Sequence, residues 1–166
     1  CLVGSEMCIR DRGSASSPTS PTANTLMAAL PSDLRAVMKS CTKYTDNKGG
    51  GNTASNVSST TDYLFLLSEY EVFATHQYCN DAEPNYQAQY DYFKAGNSKV
   101  ANKHSATGTA AVWWLRSPYY NDFYIYFCAV SSSGSLDYNN ANNAYGVVPG
   151  FCHAWSHGVA IGERRP

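Results

Sequence analysis

The tightest constraint on the fold is the run Val112-Trp113-Trp114-Leu115-Arg116, closed by Ser117-Pro118. It reads as an apolar strand, and successive side chains on a strand point to opposite faces. Trp113 and Trp114 therefore face opposite ways, and at least one of them must be core. Arg116 shares the parity of Trp114 and reads as a structural ion-pair partner for an early acid such as Glu69 or Glu71, in preference to a ligand contact. A length of 166 residues suits one domain and is enough to bury a core around this strand. The longest apolar runs, Tyr63 to Leu67 and Phe123 to Val130, are too short for a transmembrane helix, so membrane insertion is not expected.

The rest of the chain reads as mixed α and β. Leu34, Val37 and Met38 repeat at helical spacing behind Pro31-Ser32-Asp33, which predicts a short helix over 32–40. Asn47 to Thr61, around Gly49-Gly50-Gly51, lacks the Lys-Ser/Thr of a phosphate loop and reads as flexible spacer. Tyr63 to Leu67 has the length of a buried strand, and Ser68-Glu69-Tyr70-Glu71 has capping-box spacing for a short helix behind it. A further helix fits Pro84 to Lys94, with Tyr86, Tyr90 and Phe93 as an inward stripe and Gly96 as stop. Phe123 to Val130 alternates in the strand manner; Ser133-Gly134 is a turn, and Ser135 to Tyr138 returns as the paired strand. Tyr145 to Cys152 makes a last strand, with Pro149 placing it at an edge or a bulge. The fold class is α+β, with two short helices early and an antiparallel sheet late.

The ends read differently. Cys1 to Arg12, CLVGSEMCIRDR, resembles a translated sequencing-adapter read-through, and Ser14 to Thr22 is a low-complexity Ser/Pro/Thr stretch. Residues 1–22 are thus assigned to an adapter-like stretch and disordered lead-in, 23–152 to the domain and 153–166 to a loosely ordered tail. The basic residues Arg10 and Arg12 follow the short apolar stretch instead of preceding it, so it is not a signal peptide, and no targeting signal is visible.

Catalytic and metal chemistry find little support. No CxxC occurs, and Cys41, Cys79, Cys128 and Cys152 read as small buried hydrophobes with neither a disulfide framework nor a zinc site. His76, His104, His153 and His157 are scattered, and neither Gly-x-Ser-x-Gly nor His-Glu-x-x-His occurs. Glu83-Pro84-Asn85 invites comparison with a calcium-dependent sugar motif, but it lies far before the late strands, and no Trp-Asn-Asp partner follows to help supply the roughly six to eight oxygens calcium takes. The expectation is a non-enzyme with no cofactor and no metal. With 12 basic and 13 acidic residues, nothing favours a nucleic-acid partner.

Four separated motifs then agree in order with one family. They are Asp62-Tyr63-Leu64-Phe65-Leu66-Leu67-Ser68-Glu69, Tyr92-Phe93-Lys94, Trp113-Trp114-Leu115-Arg116-Ser117-Pro118 and Tyr145-Gly146-Val147-Val148-Pro149-Gly150-Phe151-Cys152. On these the chain resembles the uncharacterised Trp-Trp-Leu-Arg-Ser-Pro domain family of gut bacteria and their phages, over about Leu26 to Cys152. The resemblance implies a C-type-lectin-like fold, related to the variable proteins of diversity-generating retroelements. It implies that the opening strand and first helix of that fold are truncated or replaced by the adapter-like stretch. It also implies binding rather than catalysis.

Composition points the same way. Only 15% of residues are charged, whereas 13 are Tyr, which is unlike a cytosolic enzyme and more like a recognition surface. Between the WWLRSP and YGVVP frames, Tyr, Asn, Ser, Asp and Phe fill most positions of Tyr119 to Tyr145. Tyr gives rigid amphipathic contact area, and Asn and Ser give adaptable hydrogen bonding, as in antibody paratopes. The candidate ligand-binding residues are Tyr119, Tyr120, Asn121, Asp122, Tyr124, Tyr126, Asp137, Tyr138, Asn139, Asn140, Asn142 and Asn143. Phe123, Ile125 and Phe127, on the other strand face, are expected to be core. The expected partner is a protein or glycan on a host or neighbouring cell, met by a display domain of a phage tail or bacterial surface protein. The competing expectation is a purely structural domain of such an assembly.

Overall fold

The computed structural model describes residues 17–23, 25–49, 51–121 and 125–153. The chain is α+β, with short helices and several small antiparallel sheets. It opens with α1 (Leu26–Ala29), capped by the Thr25 side chain, and α2 (Ser32–Val37). The predicted 32–40 helix stops at Val37. Met38 turns extended and, with Lys39, forms β1 (Met38–Lys39), burying Met38 against Met27 and Leu64 and leaving Val37 47% exposed.

The presumed spacer is half hairpin. β2 (Cys41–Asp46) pairs with β3 (Val57–Asp62) over six residue pairs. The Asp46 carboxylate accepts from the Lys48 and Gly49 N–H groups at 3.0 and 2.7 Å, an Asx turn that starts the connecting loop. Leu64 to Leu67 is buried as expected, although only β4 (Phe65–Leu66) is laddered. Ser68 then caps α3 (Glu69–Phe73) with the full capping box: its hydroxyl accepts from Glu71 N, and the Glu71 carboxylate accepts from Ser68 N.

The predicted Pro84–Lys94 helix is not continuous. It resolves into a 3₁₀ turn over Glu83–Tyr86 and α4 (Asp91–Lys94), separated by an extended stretch. Three hydrogen bonds hold that stretch open. The Gln87 amide donates to Tyr44 O at 2.7 Å, the Gln89 amide to Val72 O at 3.0 Å, and Tyr90 N to Glu71 O at 3.0 Å. The two carboxamides tie the stretch to β2 and α3, and the Tyr90 N–H goes to the Glu71 carbonyl in place of an i−4 carbonyl.

A second hairpin, β5 (Ala101–Lys103) and β6 (Ala106–Ala111), leads into the core strand β7 (Trp113–Pro118). β7, β8 (Tyr126–Val130) and β9 (Leu136–Asn140) form the three-stranded antiparallel sheet that the sequence pattern implied. Both tryptophans are core, at 2% and 3% exposure, because β7 is covered on both faces. Trp113 packs with Phe65, Leu67, Val72, Leu115, Cys128 and Val130, and Trp114 with Leu66 and Ala129.

The expected last strand over 145–152 is three short pairings. Gly146 bridges Trp113 in parallel, β10 (Pro149–Gly150) pairs with β4, and β11 (Cys152–His153) pairs with β1. Gly150 lies on the Phe65 ring, where a Cβ would come within 2.5 Å of a ring carbon, so glycine alone fits there. The cysteine reading needs correction. Cys41 and Cys152 form a disulfide with Cα atoms 6.2 Å apart, while Cys79 and Cys128 are buried thiols. Spacing along the chain could not show this, since the two cysteines meet only through the β1–β11 pairing.

Candidate functional site

The candidate surface grows out of the end of the β7–β8–β9 sheet. On β8, Val130, Cys128 and Tyr126 share a face, opposite Leu136, Tyr138 and Asn140 of β9. From Val130 to Cys128 this face is main core; two residues beyond Cys128, at Tyr126, it is half-buried and tyrosine-lined. Sequence parity put Ile125 and Phe127 in the core and Tyr126 on a separate wet face. Phe127 does pack on the core beside Trp114, but Ile125 is 46% exposed, and Tyr126 continues the other core face outward. A sheet covered on both sides at one end and open at the other cannot be sorted into wet and dry by alternation alone.

At that open end the rings collect. Tyr119 stacks on Tyr138 with centroids 4.3 Å apart, and Tyr126 meets Tyr138 edge-on at 5.9 Å. Tyr120 meets Tyr119 at 5.9 Å. A fifth ring, Tyr78, lies edge-on to both Tyr138 (4.8 Å) and Tyr119 (5.5 Å). Backbone bonds fix the group: Tyr119 N donates to Tyr126 O, and Tyr120 N to Tyr78 O, each at 3.0 Å. All five tyrosines are half-buried, so each shows solvent one edge and its neighbours the rest.

The asparagines divide. Asn139 Oδ1 accepts from Asn140 N and from the Asn143 amide at 2.6 Å, and Asn140 Oδ1 accepts from Asn142 N, so these carboxamides shape the turn after β9. Asn121, Asp137 and Asn142 are exposed at the rim, with Asp137 Oδ1 accepting from Tyr138 N. Asp122 and Tyr124 lie outside the described residues.

Tyr78 falls outside the window that composition singled out, and no periodicity marks it. Its position is set by Glu69, a fully buried carboxylate on α3. Glu69 accepts from the N–H groups of Gln77, Tyr78 and Cys79 at 2.6, 3.0 and 2.8 Å, and from the Thr75 hydroxyl at 3.1 Å. These bonds wrap the 75–79 loop around one carboxylate and hold the Tyr78 ring against β9. Partial burial, with the Tyr138 hydroxyl and the Asp137 carboxylate nearby, raises the Tyr78 phenol above its ordinary pKa.

Beneath lies a charged base. Arg116 donates to the Glu71 carboxylate, to Leu66 O and to the Thr45 hydroxyl, so of the two acids anticipated for it Glu71 is the partner. Lys43 binds the other Glu71 oxygen at 3.0 Å. Burial alone would raise the Glu71 pKa, but Arg116, Lys43 and the Ser68 N–H together hold it below the usual range. Glu83, fully buried, accepts from Asp46 N at 3.0 Å and from the Ser117 hydroxyl at 2.6 Å. Burial pushes its pKa up to about 7 against the lowering effect of those bonds and of Arg116. Burial also raises the Cys79 and Cys128 thiols, which stay protonated and unreactive. Among the described residues no three His, Cys, Asp or Glu side chains are placed to hold a metal ion. What the tyrosine end offers is amphipathic ring area with phenolic donors and acceptors on a rigid base.

No curated protein and no solved structure matches the chain. Residues 23–155, the span that carries the core strand β7, the Glu69-anchored loop and the tyrosine end, match one family along their whole length. The chain therefore belongs to the family described as a domain of unknown function, DUF6273.

Proposed function

We propose that the tyrosine end of the β7–β8–β9 sheet is a non-catalytic recognition surface for a protein or glycan on another cell. The observation that carries this reading is the convergence of Tyr78 from one loop with Tyr119, Tyr120, Tyr126 and Tyr138 from another region on a single face. Tyrosine-rich faces on rigid frames bind with little entropy loss, and here the frame is held by buried hydrogen bonds. A C-type-lectin-like fold, kinship with the Trp-Trp-Leu-Arg-Ser-Pro domains, diversification by a retroelement and display on a phage tail or cell surface belong to the same proposal. The Cys41–Cys152 disulfide supports an oxidising location of that kind. The tight packing of the rings on one another favours the second reading, a structural domain whose tyrosines only close the sheet end.

The test is triple replacement of Tyr120, Tyr126 and Tyr138 by Ser, with the parent and variant domains applied to intact bacterial cells and to a bacterial glycan array. The recognition reading expects the variant to melt cooperatively at a lower temperature, as lost ring contacts cost about 0.5–1.5 kcal/mol each, and to lose binding that the parent shows. A parent that binds nothing, or a variant that binds equally well, leaves the structural reading standing.

A further inference from the structure

The segment Tyr86 to Tyr90 inverts the usual burial pattern. Gln87 and Gln89 turn inward and are half-buried, whereas Tyr86 and Tyr90 turn outward at 55% and 37% exposure. The carboxamides are the anchors: Gln87 takes Tyr44 O and the Ser68 hydroxyl, and Gln89 takes Val72 O. Water solvates amides well and aromatic rings poorly, so folding alone gains little from this arrangement. The helical stripe that would have buried these rings is given up for it.

The outward rings border a cleft of about 410 Å3 that also takes in Lys43, Glu71 and Asp91. Tyr86 is a prepared platform, since Tyr44 backs it in parallel with centroids 4.4 Å apart and planes 11° apart. Tyr90 is fixed by its hydroxyl, which accepts from Lys43 Nζ at 2.9 Å. Lys43 and Arg116 share the Glu71 carboxylate, and among the described residues no donor reaches the Asp91 carboxylate, which brings these four charges to balance. The cleft thus pairs two fixed aromatic faces with acceptors and donors, and its charged groups, counted with Arg116, sum to zero.

We infer that this cleft is a binding site for a neutral carbohydrate, distinct from the tyrosine end of the sheet. A pyranose ring has an apolar C–H face that covers a tyrosine ring, and hydroxyls at its rim that use both acceptors and donors. The Asp91 carboxylate accepts from hydroxyls, while Lys43, already held by Glu71 and the Tyr90 hydroxyl, leaves no free cation in the cleft for a carboxylated or phosphorylated sugar. Pockets of this size are commonly lined by aromatic faces with a few oriented polar groups.

The test titrates the ¹⁵N-labelled domain separately with gluco-, galacto- and manno-oligosaccharides, an oligogalacturonate and a proline-rich peptide. Saturable shifts confined to the amides of 86–91 with at least one neutral oligosaccharide, and absent with the oligogalacturonate, are expected. Tyr86→Ala gives up the Tyr44 stack, so it should melt cooperatively at a slightly lower temperature and weaken that binding about tenfold, the scale of one lost aromatic contact. Tyr120→Ser should leave it unchanged, which separates this cleft from the recognition surface proposed above. No saturable shift with any neutral sugar at millimolar concentration, shifts that map to 119–140 instead, or binding of the peptide or the acidic sugar alone would each overturn the assignment.

Discussion

Glu83 and Glu71 are both buried acids near Arg116, yet their environments push them in opposite directions. Glu71 has two cations and a backbone donor, and ionises more readily than a free carboxyl. Glu83 has one backbone donor, one hydroxyl and the opposing charge of Asp46, and its pKa rises from 4.5 to about 7. A raised folded pKa means the native state binds the proton more tightly than the unfolded chain. That contribution is complete below pH 4.5 and is lost as pH rises through about 7; its full size is on the order of 3 kcal/mol. Glu71 contributes with the opposite sign, and its share is lost as pH falls through its depressed pKa. Glu83→Gln removes the first effect and keeps the side-chain shape. Relative to the parent, the variant should gain about 2–3 kcal/mol between pH 5 and pH 8 in urea melts. A stability difference that does not change with pH would show that Glu83 stays ionised throughout.

At the scale of elements, β7 shows what a pattern can and cannot reveal. Adjacent tryptophans on a strand demand cover on both faces, and the structure supplies Phe65, Val72 and Val130 on one side and Leu66 and Ala129 on the other. Trp114→Ala should cost about 3–5 kcal/mol in chemical denaturation; a loss below about 1 kcal/mol would mean the site is filled from Tyr145, which leans on the ring at 4.7 Å. The capping box was legible because local spacing determines it, whereas an acid partner for Arg116 was legible only as Glu69 or Glu71, and the choice of Glu71 depends on Glu69 being taken by the 75–79 loop. The β2–β3 hairpin was not, because its Ser/Thr-rich strands carry no apolar alternation and are fixed by mutual pairing. The Tyr86 stripe was misread because period alone cannot foresee Gln87 and Gln89 capturing carbonyls of β2 and α3. In the candidate surface, Tyr119, Tyr120, Tyr126 and Tyr138 came from composition, whereas Tyr78 depends on a contact to Glu69 that no sequence window contains.

Across the whole molecule, the two ends of the domain hold each other. β1 pairs with β11 through Met38 with His153 and Lys39 with Cys152, and beside this two-residue ladder Cys41 is bonded to Cys152 across 111 positions. Two laddered pairs are a weak clasp, since a short isolated strand pair is barely stable in water. The disulfide changes that balance through the unfolded chain, whose freedom it restricts over nearly the full length of the domain. Loops this long carry a closure entropy of about 4–5 kcal/mol in the chain model, although measured gains centre on about 2–4 kcal/mol. The Cα separation of 6.2 Å lies within the span that a disulfide bridges without moving the backbone. Cys79 and Cys128, fully buried and held protonated, are poor competitors for exchange with this bond. Replacing both Cys41 and Cys152 by Ser should therefore lower stability by about 2–4 kcal/mol. It should also expose the 26–40 segment to proteolysis first, because α1, α2 and β1 would then be tied to the rest of the domain by the two-pair ladder and the small Met27–Met38–Leu64 cluster. Reducing the parent protein should reproduce both effects. If melting and cleavage are the same with and without the bond, the β1–β11 pairing and that cluster hold the ends unaided, and the disulfide is not what keeps the domain closed.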